Sequence, residues 1–130
     1  MMPPKLISIT LAAAIAQEAA GQADAPLRQA ATLGVLAGAG YGAREIASFT
    51  GAQWDEVDRR LALLGLVDAG KGALNEGLLP VDLAGCIARL SEPNQQLMLN
   101  RWLRGDFRGV RHAERYALAI WGDEQPQVSF

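Results

Sequence analysis

Apolar residues recur along this chain at three- and four-residue spacings, in blocks cut short by glycine and proline, which is the pattern of short amphipathic helices rather than of strands. The run LISITLAAAIA predicts a first helix over about 5–20 with Ile7, Leu11 and Ile15 as its core face. Asp24 as N-cap and Pro26 in the first turn open a second helix, LRQAATLGVLAGA, which the glycines at 38, 40 and 42 stop. A short helix over about 43–49, a turn holding Gly51 and a helix over about 53–64 follow, the last with Val57, Leu61 and Leu64 on one face. Gly65, Gly70 and Gly72 break the pattern, and a helix around 71–76 ends at Gly77. Pro80 opens a helix to about Leu90, and Ser91 and Pro93 begin QQLMLNRWL, which stops at Gly105. VRHAERYALAIW forms the last helix, and GDEQPQVSF has no amphipathic period. The expectation is an all-α fold: one compact domain of about eight short helices over 1–122, with a loose tail at 123–130.

Composition supports this and narrows the chemistry. Half of the 130 residues are hydrophobic, only 6% are aromatic, and Ala, Leu and Gly outnumber β-branched residues. A single cysteine, Cys86, allows no internal disulfide, and its setting in LAGCIARL suits a small buried hydrophobe. The lone His112 gives no basis for a metal cluster and has no nucleophile motif beside it. No paired carboxylates stand in an apolar setting, so no catalytic residue, metal or cofactor is expected and the chain reads as a non-enzyme. GAGYGA at 38–43 matches the dinucleotide fingerprint G-x-G-x-x-A, but the helix formers RQAATLGVLA precede it where a strand would be needed. MMPPK followed by LISITLAAAIA resembles a secretory leader with a small-residue site at Ala14 to Ala16; the apolar run is too short to span a membrane as a helix, and a core-packing first helix in a cytoplasmic protein is the expectation. Trp102, Phe107, Tyr116 and Trp121 are expected to join the last helices as core residues.

Charge is unevenly spread. Positions 42–68 hold three arginines against five acids, whereas positions 89–115 hold six arginines against three acids. The first of these segments contains the helix-turn-helix candidate at about 43–64: Ala47 is small enough for a tight helix crossing, and Gly51 admits the left-handed backbone that the turn needs. Its second helix begins Gln53, Trp54, Asp55 and continues through Asp58, Arg59 and Arg60, an acidic start for a helix that would read DNA.

A series of motifs in order extends beyond the helix pair. Ile46-Ala47, Gly51, VDRRLALLGL at 57–66, NEGLLPVDLA at 75–84, RLSEPNQQ at 89–96 and VRHAE at 110–114 together resemble the central domain of the ParB and KorB partition proteins, over about 26–116. The resemblance implies a helical DNA-binding domain, double-stranded DNA as partner, and a transcription-regulating or partition-type role near nucleoid or plasmid. The DNA-contacting candidates are then Arg44, Gln53, Trp54, Arg59 and Arg60 on the helix pair, and Arg101, Arg104, Arg108, Arg111 and Arg115 on the last two helices. Nothing resembles the family's nucleotide-binding region, so CTP hydrolysis and clamp sliding are not expected, and no dimerisation domain is recognisable, although a homodimer is compatible. The alternative is a ParB-like fold that has lost DNA reading and binds a protein through Trp54, Asp55 and Asp58. The arginines would then be a solvated face with Asp106 and Glu114 as surface partners.

Overall fold

The computed structural model describes residues 4–126. Every regular element among them is helical, and the all-α expectation holds: α1 (Ile9–Ala20), α2 (Pro26–Gly38), α3 (Ala43–Ser48), α4 (Trp54–Ala62), α5 (Asp68–Asn75), α6 (Val81–Ala88), α7 (Glu92–Leu103) and α8 (Val110–Glu124). Helix α4 tightens into a 3-10 turn over Leu63–Gly65. The helices pack as two units, one ending at Leu64 and the other starting at Gly65. Among the described residues no helix is long and apolar enough to cross a membrane.

In the first unit α1 packs on α2 and α3, and both of these pack on α4. Leu33, Leu36, Tyr41, Ile46, Ala47 and Val57 form its core, with Leu61 and Phe49 partly buried against them. The core face of α1 differs from the expected one: Ala12, Ala16 and Ala19 are buried, Ile7 and Ile15 only pack partly against the core, and Leu11 is 49% exposed. Methyl-sized side chains let the backbone of α1 approach its neighbours closely, which larger residues at the same contact would prevent. Leu64 is also exposed rather than on the buried face of α4. Helix α2 begins with Pro26 at its first turn, but Ala25, not Asp24, is the N-cap residue and no side chain caps the helix.

The residues before α1, which bend at Leu6 and Ile7, are fastened to the connection between α2 and α3. The Leu6 N–H donates to the Ala39 carbonyl at 2.9 Å, and the Tyr41 hydroxyl donates to the Ile7 carbonyl at 2.9 Å. The Lys5 ammonium donates to the Gly40 carbonyl at 2.6 Å and to Glu45 Oε1 at 2.7 Å, over the face of Tyr41.

In the second unit α6 packs on α5, α7 and α8. Leu79, Leu83, Ile87, Met98, Leu99, Ala113 and Ala117 are buried. Helix α5 starts earlier than the glycine spacing suggested: Gly70 and Gly72 lie inside it instead of breaking it. Gly70 is buried against Leu66, whose Cγ would stand 2.7 Å from a Cβ at that position. Gln95 is the one buried polar residue among those described. Its Oε1 accepts from the Val67 N–H at 2.9 Å, and its Nε2 donates to the carbonyls of Gly65 and Leu90, both at 3.0 Å. Cys86 is only partly buried, with Sγ 4.0 Å from Glu114 Oε2, so it is not the enclosed hydrophobe expected.

Helix α8 continues past Trp121 to Glu124, and residues 127–130 of the expected tail lie outside the described residues. The Glu124 carboxylate caps the start of α7: Ser91 donates to it through its N–H at 3.0 Å and its hydroxyl at 2.8 Å, and Asn94 Nδ2 donates as well. The Asn94 and Ser91 hydrogen bonds hold the Glu124 carboxyl below its ordinary pKa. A carboxyl depressed in the folded state stabilises the fold above its ordinary value and loses that contribution as pH falls through the folded one. Glu124→Gln should therefore lower stability near neutrality, change it little in acid where the wild-type carboxyl is itself protonated, and so flatten the acid side of the stability profile, as read by urea unfolding at several pH values.

Candidate nucleic-acid interface

Helix α3 has only six residues, and its start is held by Glu45 folding back onto the Gly42 N–H at 3.0 Å. That bond, with the Lys5 ammonium next to it, keeps the Glu45 carboxyl below its ordinary pKa. The chain leaves α3 through Phe49 and Thr50 and reverses at Gly51, whose φ is +76° and whose N–H donates to the Ala47 carbonyl at 3.0 Å. Ile46 and Ala47 of α3 and Val57 of α4 are buried in one core, so the two helices pack on each other with the small residue Ala47 inside it. No atom lies within 4 Å of a Cβ built on Gly51, so substitution there meets backbone strain and no clash. Gly51→Val should cost on the order of 1–3 kcal/mol, and Gly51→Asn distinctly less, in thermal unfolding.

The outer surface of this helix pair carries the first group of candidates. Gln53 is the N-cap residue of α4 and makes no side-chain cap bond. Trp54 is 43% exposed, and the Arg44 guanidinium lies over its ring at 4.5 Å, so these two candidates form one stack. Asp55 and Glu56 are in the first turn and Arg59 and Arg60 in the last. That order complements the helix dipole, which favours anions at the N-terminus and cations at the C-terminus. Asp55 Oδ2 lies 3.9 Å from Arg59 Nη2, a loose exposed pair one turn apart. Arg60 and Asp58 are partly buried.

The second group belongs to the other unit. Arg101 on α7 and Arg104 at its C-cap converge on Asp106, with N···O distances of 3.4 and 2.7 Å. The hydrogen bond from Arg104, reinforced by Arg101, holds the Asp106 carboxyl below its ordinary pKa. The Arg101 guanidinium also lies over the rings of Phe107 and Tyr116, at 4.8 and 4.6 Å. Phe107 and Tyr116 meet edge to face, and Phe107 does the same with His112. Tyr116 and Trp121 are exposed, Trp102 and Phe107 only partly buried, which corrects their expected place in the core. At the surface the Arg101 guanidinium covers the rings of Phe107 and Tyr116, and Trp102 Nε1 donates to the Leu78 carbonyl at 2.9 Å.

Arg108, Arg111 and Arg115 are exposed and make no ion pair among the described residues. Arg111 and Arg115 are one helical turn apart on α8. The loop before them is held by the Arg108 N–H donating to His112 Nδ1 at 3.0 Å, which makes that ring nitrogen an acceptor. Sequence reasoning missed this bond and the aromatic clamp on Arg101. Both join residues across a loop of no regular spacing, so no periodic signal announces them. Among the described residues no group of His, Cys, Asp and Glu is placed to hold a metal ion. No protein-family model, curated protein sequence or solved structure matches the chain.

Proposed function

We propose that this chain is a DNA-binding protein, a transcriptional regulator or partition-type accessory of the ParB/KorB kind, with α3 and α4 as its helix-turn-helix and α8 as a source of phosphate contacts. The observation that carries the reading is the row Arg108, Arg111 and Arg115, exposed and without acidic partners, beside two arginines already committed to Asp106. Arginine forks match phosphate oxygens, and each phosphate neutralised releases about one counterion, so binding should weaken steeply with salt. Arg44 and Gln53, at the exposed start of the α3–α4 pair, are the base- or sugar-contact candidates.

Duplex titrations at several salt concentrations test this. Replacing Arg108 and Arg111 together with Gln should reduce the salt slope by roughly 2. Asp55→Asn with Glu56→Gln should raise affinity for random duplex by removing repulsion. Absence of duplex binding at about 50 mM salt, where phosphate contacts are strongest, would overturn the proposal. A second reading would then remain, a protein-binding role for the α4 surface, which the half-exposed Trp54 among Asp55 and Glu56 favours.

A further inference from the structure

The chain builds one complete arginine receptor of its own. Around Arg101 it assembles two aromatic rings, Phe107 and Tyr116, and one carboxylate, Asp106, so that the guanidinium has π faces and an anion together. The start of α4 offers the aromatic and acidic half of the same arrangement with room left in it. The Trp54 ring is 43% exposed, and it already takes one guanidinium, that of Arg44. Asp55 beside it holds Arg59 only loosely, at 3.9 Å, and the Glu56 side chain is exposed without an ion pair among the described residues. The guanidinium half is also present in the chain, on α8, where Arg111 and Arg115 project from successive turns with no acid paired to them.

From this complementarity we propose that copies of the chain associate head to tail, the Trp54 face of α4 in one copy receiving Arg111 and Arg115 of α8 in the next. The occupant of each surface is thus a second copy of this chain. Exposed ion pairs contribute little singly, and the tryptophan ring is the anchor that two of them surround. Because the two surfaces differ, repetition gives open chains of increasing length unless the contacts close a ring, of which a reciprocal two-fold dimer is the smallest. The inference is independent of the DNA reading, since no duplex takes part in its test.

Sedimentation velocity of the full chain, at protein concentrations up to about 1 mM, detects association of only about 4 kcal/mol. The weight-average sedimentation coefficient should rise with protein concentration at about 50 mM salt and fall toward the monomer value at about 1 M, where screening shortens to about 3 Å. Asp55→Arg with Glu56→Arg, and separately Arg111→Glu with Arg115→Glu, should each weaken association roughly tenfold or more. An equimolar mixture of the two variants restores opposite charge at both kinds of contact and should recover it. Circular dichroism verifies that each variant is folded, and the neutral pairs D55N/E56Q and R111Q/R115Q replace any that is not, each expected to weaken association in the same direction. A wild type that stays monomeric at low salt overturns the proposal. So does association that survives the substitutions, or a charge-swapped mixture that fails to recover it.

Discussion

Replacing Gln95 with leucine should destabilise the protein by about 2–4 kcal/mol, because the volume is kept while a hub of buried hydrogen bonds is deleted. The amide accepts from Val67 and donates to Gly65 and Leu90, so one side chain joins the entry to α5, the end of α6 and its own helix. Its loss leaves the Val67 N–H and the Leu90 carbonyl without their partner, and buried polar groups left unmet cost about 1–3 kcal/mol each. Against a total stability of about 5–15 kcal/mol that is a large fraction, and urea unfolding followed by circular dichroism measures it. Gln95→Glu separates shape from bonding. Its carboxylate could still accept from Val67 but would face the carbonyls of Gly65, Ala88 and Leu90 with no donor, so the variant should be weak at neutral pH and regain stability as acid protonates it. A loss below about 1 kcal/mol in Gln95→Leu would mean that solvent satisfies these groups.

Leu36→Ala should cost about 2–5 kcal/mol, since Leu36 is fully enclosed in the core of the first unit and truncation leaves a cavity among its neighbours. Leu11→Ala should change stability by no more than about 0.5 kcal/mol, because that side chain is half in solvent. The same urea experiment on both variants decides which face of α1 meets the core. Equal losses would restore the face expected from Ile7, Leu11 and Ile15.

The contrast shows what the sequence could and could not convey. Helix ends were legible where glycine must adopt positive φ, at Gly51, Gly77 and Gly105, because that conformation excludes most other residues. The turn between α3 and α4 was legible for the same reason, through Gly51. The buried face of α1 was not. ITLAAAIAQEAA is apolar almost all round, so the spacing of Leu11 and Ile15 and that of Ala12, Ala16 and Ala19 fit the helix equally well, and close approach of the backbone decides between them. Gly70 misled by its usual meaning as a breaker, since its role is to leave space for Leu66. In the candidate interface the residue types were legible, but the pairing of Arg101 and Arg104 with Asp106 and the stacking of Arg44 on Trp54 depend on side-chain direction, which spacing alone does not give.

The fastening of Lys5 to Gly40 and Glu45 also makes the protein a reporter on its own local opening. The chain has two lysines, Lys5 and Lys71. Acylation requires a released, deprotonated amine, and the Lys5 ammonium is engaged by a carbonyl and a carboxylate over an aromatic face, whereas Lys71 has no ion pair among the described residues. Under limiting reagent, the labelling rate at Lys5 relative to Lys71 therefore measures the fraction of time that the segment before α1 is detached from the start of α3. The second lysine serves as an internal clock within the same molecule.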